Sequence, residues 1–289
     1  MDFALVAPKD PKEAFDLLAA GSEGDAVAIA GGTDLLLDLD DGRTNPKRVV
    51  SLRRLPWSFR TWRDRELTVG STLPLSELEA DPRVRRELPG LFDALGAVGS
   101  VALRHRATLG GNVGRAAPAS DLLPVLLALD ARVNVLGPGG ARTTPLDRFL
   151  VGSRQTTLAR GELIHSVTIP EASPCAYVWQ RVRPANDISQ VGVAAAAPTG
   201  RGGWRVALGG LPPRAIRLPE SEGALTARHP SDLEIEFAAQ QASEHAPFVT
   251  DKRATEAYRR RLVATLVRQA VRRADLLPPP VRAVRRRPR

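Results

Sequence analysis

Residues Thr108–Asp121 read TLGGNVGRAAPASD. Two adjacent glycines are followed by Asn112, a third glycine, small residues, Pro118 and a lone acid, Asp121. The apolar run LLPVLLALDARV comes next, over 122–133. Glycines without Cβ atoms let backbone N–H groups converge and let a bulky anion approach closely. A second cluster of similar build, AIAGGTDLLLDL, spans Ala28–Leu39. A lone Gly-Gly turn is most simply a tight bend. Two such turns, each after a strand-like segment and before an apolar helical one, point to one diphosphate ligand held between them. Neither cluster has the spacing of the Rossmann or Walker phosphate loops.

Around these clusters the chain alternates strands and helices. Over Pro8–Gly21, PKDPKEAFDLLAAG predicts a helix with Asp10 as N-cap, Pro11 in its first turn and Gly21 at its stop. AVAIAGG (26–32) and RVVSL (48–52) read as strands, and LTVGSTLPLSELEADPRV (67–84) as strand, turn and helix. LPGLFDALGAVGSVALRH (88–105) predicts one long helix rich in small residues. TLGGN reads as a glycine loop, and DLLPVLLALD (121–130) as a helix despite Pro124. ARVNVLGPGGARTTPLDRFL (131–150) predicts two strands around a glycine turn and then a short helix, and GELIHSVTIP (161–170) a further strand.

The pattern changes near PEASPC, residues 170–175. CAYVWQRV, ISQVGVAAAA and GWRVALGGL predict a three-stranded antiparallel sheet. Pro198–Trp204 reads as a hairpin turn. EFAAQQASEH and TEAYRRRLVATLVRQAVRRA then predict helices, the second with an apolar face at Tyr258, Leu262, Leu266 and Ala270. The expected domains are 1–170, 175–275 and a basic tail over 276–289.

Composition limits the function classes. The chain has 289 residues, 43% hydrophobic and 25% charged, which is ordinary for a globular protein. The net charge of +9 is local: residues 251–289 carry 13 Lys/Arg against 3 Asp/Glu, while the other 250 residues carry 28 basic and 29 acidic groups. No aromatics interleave with the terminal arginines, so nucleic-acid binding is not expected. A single cysteine, Cys175, excludes an internal disulfide, and an iron–sulfur cluster held by this chain alone. No apolar run reaches 18 residues, and the N-terminus lacks a signal-peptide pattern, so a cytoplasmic location is expected. The histidines lack ligand spacing. His105 reads as a backbone hydrogen-bonding residue beside the glycine cluster, and His165, His229 and His245 as surface or strand-end residues. The acid pairs Glu234/Glu236 and Asp40/Asp41 have no nucleophile to serve.

The two clusters resemble the flavin motifs of the FAD-binding (medium) subunits of molybdenum hydroxylases, the xanthine dehydrogenase and carbon monoxide dehydrogenase group. AGGTDLL (30–36) is similar to the first motif and TLGGNVGRAAPASDLLPVLLALDARV (108–133) to the second. RPANDISQVGVAAA (183–196) and VALGGLPPRAIR (206–217) resemble parts of that family's C-terminal domain. The resemblance implies an α+β fold: a two-subdomain FAD-binding domain of the vanillyl-alcohol-oxidase-like (PCMH) type, then a small C-terminal domain. It implies noncovalent FAD, with Ala30, Gly31, Gly32, Thr33, Asp34 and Leu35 along the pyrophosphate. Thr108, Gly110, Gly111 and Asn112 would close from the other side, Asp121 would take the adenosine ribose, and Ile188 would approach the isoalloxazine. It further implies a [2Fe–2S] small subunit and a molybdopterin large subunit as partners, with electrons passing to FAD and on to NAD, quinone or oxygen.

Two departures stand out. Trp179 occupies a position where such proteins often carry a lysine, and four acids (Asp34, Asp38, Asp40, Asp41) make the helix after the first motif unusually negative. The alternatives are a stand-alone FAD-dependent oxidase or dehydrogenase acting on a small molecule, and a scaffold that has kept the fold and lost FAD.

Overall fold

The computed structural model describes residues 2–184, 186–199 and 202–279. The chain opens with strand β1 (Ala4–Val6), helix α1 (Pro11–Ala19), β2 (Ala26–Ile29), α2 (Leu35–Asp40) and β3 (Arg48–Ser51). The three strands form a parallel sheet in the order β1-β3-β2. Asp10 caps α1 as expected, its Oδ1 accepting from the Glu13 N–H at 2.9 Å. This first subdomain has a small core in which Ala14 and Val50 are fully buried.

The second subdomain begins with β4 (Arg60–Arg63) and β5 (Glu66–Gly70) and continues through α3 (Leu75–Glu79), α4 (Pro82–Glu87), α5 (Pro89–Ala97), α6 (Val101–Arg104), α7 (Leu109–Arg115) and α8 (Leu122–Ala128). It then adds β6 (Arg132–Gly137), β7 (Gly140–Pro145), α9 (Leu146–Phe149), the small pair β8 (Leu150–Gly152) and β9 (Gln155–Thr156), and β10 (Leu163–Ile169). Its five-stranded sheet runs β4-β5-β10-β6-β7, all neighbours antiparallel.

Three sequence expectations change here, each for a local reason. The helix expected over 88–105 is two helices, α5 and α6. Gly99 takes φ +50°, outside the helical range, and Ser100 caps α6, its Oγ accepting from the Leu103 N–H at 3.2 Å. The expected TLGGN loop is the first turn of α7. Thr108 caps it, its Oγ1 accepting from the Gly111 N–H at 3.0 Å, and Ala116 ends it in the left-handed region (φ 48°). Pro124 is tolerated in α8 because it lies in the first turn, where an N–H has no helical acceptor.

The C-terminal domain contains β11 (Cys175–Gln180), β12 (Val191–Ala196), β13 (Arg205–Gly209), β14 (Ile216–Arg217), α10 (Pro219–Gly223), α11 (Asp232–His245) and α12 (Glu256–Asp275). The expected three-stranded sheet has a fourth strand: β14 pairs antiparallel with β13 through two residues, too short to leave an alternating pattern. The strands alternate between two buried faces. Cys175, Tyr177, Ala194 and Ala207 join the core of the second subdomain, while Ala176, Val193, Val206 and Leu208 join the core made with α11 and α12. Helix α12 follows the expected period, but its buried face is rotated. Tyr258 is exposed and Arg259 is fully buried, donating to the Val249 carbonyl (2.6 Å) and to Asp251 (2.8 Å). Glu234 serves as a helix cap, closing a capping box with Ser231 at the start of α11. Donors from Thr226 and Ser231 hold its carboxyl down at about 2. His165, expected at a surface or strand end, sits inside β10 between the rings of Trp57 (5.5 Å) and Phe59 (5.6 Å), and burial lowers its pKa. The Pro198–Trp204 turn and the basic tail fall partly outside the described residues. None of the described helices is long and apolar enough to cross a membrane.

Candidate cofactor site

The two glycine clusters meet. A cavity of about 800 Å³ opens between them, bordered by Ala30–Leu35 on one side and by Thr108, Gly110, Gly111 and Asn112 on the other. Asp121 and Ile188 also line it, so every residue expected at the site reaches one cavity. Its size falls within the range of about 300–1,000 Å³ typical of cofactor pockets.

The glycines bring the clusters together by a route the sequence did not reveal. A Cβ on Gly31 would lie 2.0 Å from the Arg106 carbonyl oxygen, and one on Gly110 would lie 2.4 Å from the Ser71 Cβ. Their first task is therefore close backbone packing within the protein, which seats the starts of α2 and α7 at the same cavity. At α2, the N–H groups of Thr33, Asp34 and Leu35 have no protein acceptor among the described residues, nor does that of Gly110 at α7. Unpaired amides at a helix start carry partial positive charge and suit an anion such as a diphosphate.

The acids after the first motif are largely neutralised, contrary to the expected negative helix end. Asp38 is buried and receives Arg115 Nη1 at 2.5 Å, with Arg43 at 3.2 Å and Arg154 at 3.7 Å. The Arg115 hydrogen bond is the largest cause of its carboxyl being held below the usual range. Arg115 Nε stands 3.5 Å from Asp34, and Asp41 pairs with Arg43 at 2.6 Å. Asp34 occupies the N-cap position of α2 without making a side-chain cap bond. Arg115 thus ties the helix of the second cluster to that of the first. No local spacing announces this pair, whose partners are 77 residues apart.

Ser120 was also missed. Its Oγ accepts from the N–H groups of Leu122 (3.2 Å) and Leu123 (3.3 Å), capping α8, and donates to Asn112 Oδ1 at 2.6 Å. That bond fixes the Asn112 side chain, whose Nδ2 has no partner among the described residues. Val98, Gly99 and Ser100, at the break between α5 and α6, add a further wall that a continuous helix would not have supplied. Leu103, Leu158, Leu163 and Ile164 give the cavity apolar surface suited to an aromatic ring. His105 is exposed and lies outside the lining.

Asp121 departs from its expected role. Its Oδ1 accepts from Tyr177 Oη (2.7 Å) and Ser189 Oγ (2.6 Å), and its Oδ2 from Arg181 Nη2 (2.7 Å). A carboxylate offers about four acceptor positions. Three are taken, too many to leave a two-oxygen grip on paired ribose hydroxyls. Burial raises the Asp121 pKa, and Arg181, Ser189 and Tyr177 oppose that rise. Tyr177 and Trp179 stack at 5.2 Å, and the Arg181 guanidinium lies 5.6 Å from the Trp179 ring. The cation in this segment is therefore Arg181, two residues beyond the expected lysine position.

Converging helix starts, an amide donor, a roomy cavity and apolar walls fit FAD, which carries a diphosphate and a flat aromatic ring. Comparison with known proteins agrees. Residues 1–172 match the FAD binding domain in molybdopterin dehydrogenase, and residues 176–274 the CO dehydrogenase flavoprotein C-terminal domain. The putative xanthine dehydrogenase FAD-binding subunit of Escherichia coli is 28% identical over 91% of this chain and 92% of its own length. The nicotine 6-hydroxylase medium subunit of Paenarthrobacter nicotinovorans is 28% identical over 92% of this chain and 94% of its own. A carbon monoxide dehydrogenase structure from Hydrogenophaga pseudoflava superposes with a TM-score of 0.87 at 25% identity, covering 95% of this chain and 97% of the matched one. The chain belongs to the molybdopterin dehydrogenase family as an FAD-binding subunit, an oxidoreductase component whose cofactor is FAD.

Proposed function

We propose that this subunit carries electrons between a [2Fe–2S] partner and a terminal acceptor (NAD⁺, quinone or oxygen), within a complex whose molybdopterin subunit oxidises the organic substrate. FAD, when bound, supplies the electron-accepting and electron-donating chemistry; the protein supplies binding, orientation and electrostatics. The observation that carries this reading is the meeting of two helix starts with unpaired amides at one cavity. The relatives' names, a xanthine dehydrogenase subunit and a nicotine hydroxylase medium subunit, support the multi-subunit setting.

In this reading the amides of Thr33–Leu35 and Gly110 hold the pyrophosphate, together with the Thr33 hydroxyl and Asn112 Nδ2. Ala30, Gly31, Gly32 and Gly111 shape the backbone around it, and Thr108 holds the α7 start in place. Asp34 and Arg115 keep a paired charge at the cavity edge instead of a bare carboxylate facing the phosphates. Ile188 packs beside the isoalloxazine from the C-terminal domain. Asp121 works from inside the wall, bracing the cavity.

The test is a reconstitution with iron–sulfur and molybdenum subunits, comparing flavin-loaded and flavin-free chain. The loaded complex is expected to reduce its acceptor and the flavin-free complex to stop at the iron–sulfur centres. Equal acceptor reduction by both would remove the proposed role.

A further inference from the structure

A cluster buried behind the cavity holds its walls in register. Arg181 reaches three of them. Its Nη2 donates to the Ala97 carbonyl at the end of α5 (2.8 Å) and to Asp121 Oδ2 at the start of α8 (2.7 Å). Its Nε donates to Ser189 Oγ (3.2 Å), next to the cavity residue Ile188. The Arg181 side chain is only 7% exposed and that of Asp121 10%. Ser189 is buried and also donates to Asp121 Oδ1 at 2.6 Å.

The residues leading to Ser189 are hydrogen-bonded among themselves. Asp187 accepts from the N–H groups of Val182 (3.1 Å), Arg183 (2.9 Å) and Ile188 (2.9 Å), so one carboxylate ties three backbone amides. Asn186, Asp187 and Ile188 form the only part of the cavity lining supplied by the C-terminal domain among the described residues. The hub joins Ser189, which follows that wall, to Ala97, which precedes the Val98–Ser100 wall, and to Asp121 of the FAD domain.

We propose that Arg181 is a positioning residue for the cofactor: through Ser189 and Asp121 it holds Asn186–Ile188 against the cavity and so sets how tightly bound FAD is enclosed. The inference rests on the FAD assignment and adds a determinant of enclosure outside the glycine clusters. A guanidinium suits the task because its planar fork can serve several acceptors at once. The neutralised Asp121 carboxylate beneath it keeps the hub from becoming an uncompensated buried charge.

The test uses the full chain loaded with FAD. Ser189→Ala removes one hydroxyl and keeps the buried ion pair, so it provides a readout even where Arg181→Met folds poorly. Arg181→Lys keeps the charge and loses the fork. Three quantities are measured well below the unfolding temperature: the rate of FAD release into an excess of an apoflavoprotein that binds FAD tightly, quenching of bound-flavin fluorescence by iodide, and the flavin absorption envelope. Ser189→Ala is expected to release FAD roughly tenfold faster, the range given by losing one charge-assisted hydrogen bond. It is also expected to expose the flavin to iodide, with Arg181→Lys falling in the same direction. A merely structural hub would lower the melting temperature and leave release, quenching and spectrum at wild-type values, and that result overturns the inference while leaving the FAD assignment intact. A wild-type chain that holds no FAD overturns both.

Discussion

Replacing Gly31 with alanine forces apart the two clusters that frame the cavity. The added Cβ would stand 2.0 Å from the Arg106 carbonyl oxygen and 2.7 Å from its carbon, where ordinary contacts begin at 3.4 Å. Both colliding atoms are backbone, so no rotamer change relieves the clash, and the segments must separate by about 1.4 Å. Overpacking of this kind costs about 1–3 kcal/mol. The displaced groups are the α2 amides proposed to hold the pyrophosphate, so part of the cost falls on binding. If half of it does, FAD affinity drops by about two- to tenfold. The assay is fluorescence titration of apoprotein with FAD, alongside thermal melts of apo and loaded forms. Gly223→Ala is the control: a Cβ there meets nothing within 4 Å, and the position lies in helix α10. That change should be neutral or stabilising by up to about 1 kcal/mol, without effect on FAD. Wild-type affinity and melting temperature in Gly31→Ala would refute the argument that close packing of the clusters builds the site.

Three further outcomes are expected. Arg115→Met leaves buried Asp38 with only its longer contacts to Arg43 and Arg154; it should cost about 1–3 kcal/mol in chemical denaturation and weaken FAD binding in the same titration. Arg259→Met removes a fully buried guanidinium and strips Asp251 and the Val249 carbonyl of its donors; denaturation should show a loss of about 1–3 kcal/mol, with the FAD affinity of the folded protein unchanged. Glu234, held at about 2, contributes stability above its ordinary value of 4.5 that is lost as pH falls through about 2. Melting curves of Glu234→Gln between pH 6 and pH 2 should therefore converge on wild type at the acid end.

Much of the fold was legible because its signals are local. The Asp10–Pro11 helix start, the glycine turn between β6 and β7, and the alternating strands of the C-terminal domain follow from neighbouring residues alone. What escaped depended on contacts distant in sequence. TLGGN looks like a loop because its glycines disfavour a helix, and only the close seat of Gly110 on Ser71 shows why a helix start tolerates them. The face of α12 was legible at Leu262, Leu266 and Ala270 but not at its first turn, where the buried Arg259, paired with Asp251, reads as a polar position. The Ser231–Glu234 capping box shows in the sequence only as a Ser-x-x-Glu spacing, which many exposed segments share. For the site, both glycine clusters and the lone Asp121 were visible as motifs and Ile188 followed from the family resemblance, whereas Ser120, Arg115 and Arg181 act through partners that no spacing announces. Asp121 shows the limit most clearly. Its position at the cavity was foreseeable, but its occupation by Tyr177, Ser189 and Arg181 depends on how the C-terminal domain packs.

The most direct test of the central claim is the absorption spectrum of the purified chain, with any released cofactor identified after denaturation. The two-cluster cavity predicts flavin bands and the release of free FAD, or stoichiometric uptake of added FAD by a colourless preparation. A folded chain that is colourless and refuses added FAD would contradict the claim and leave the paired helix starts as packing alone.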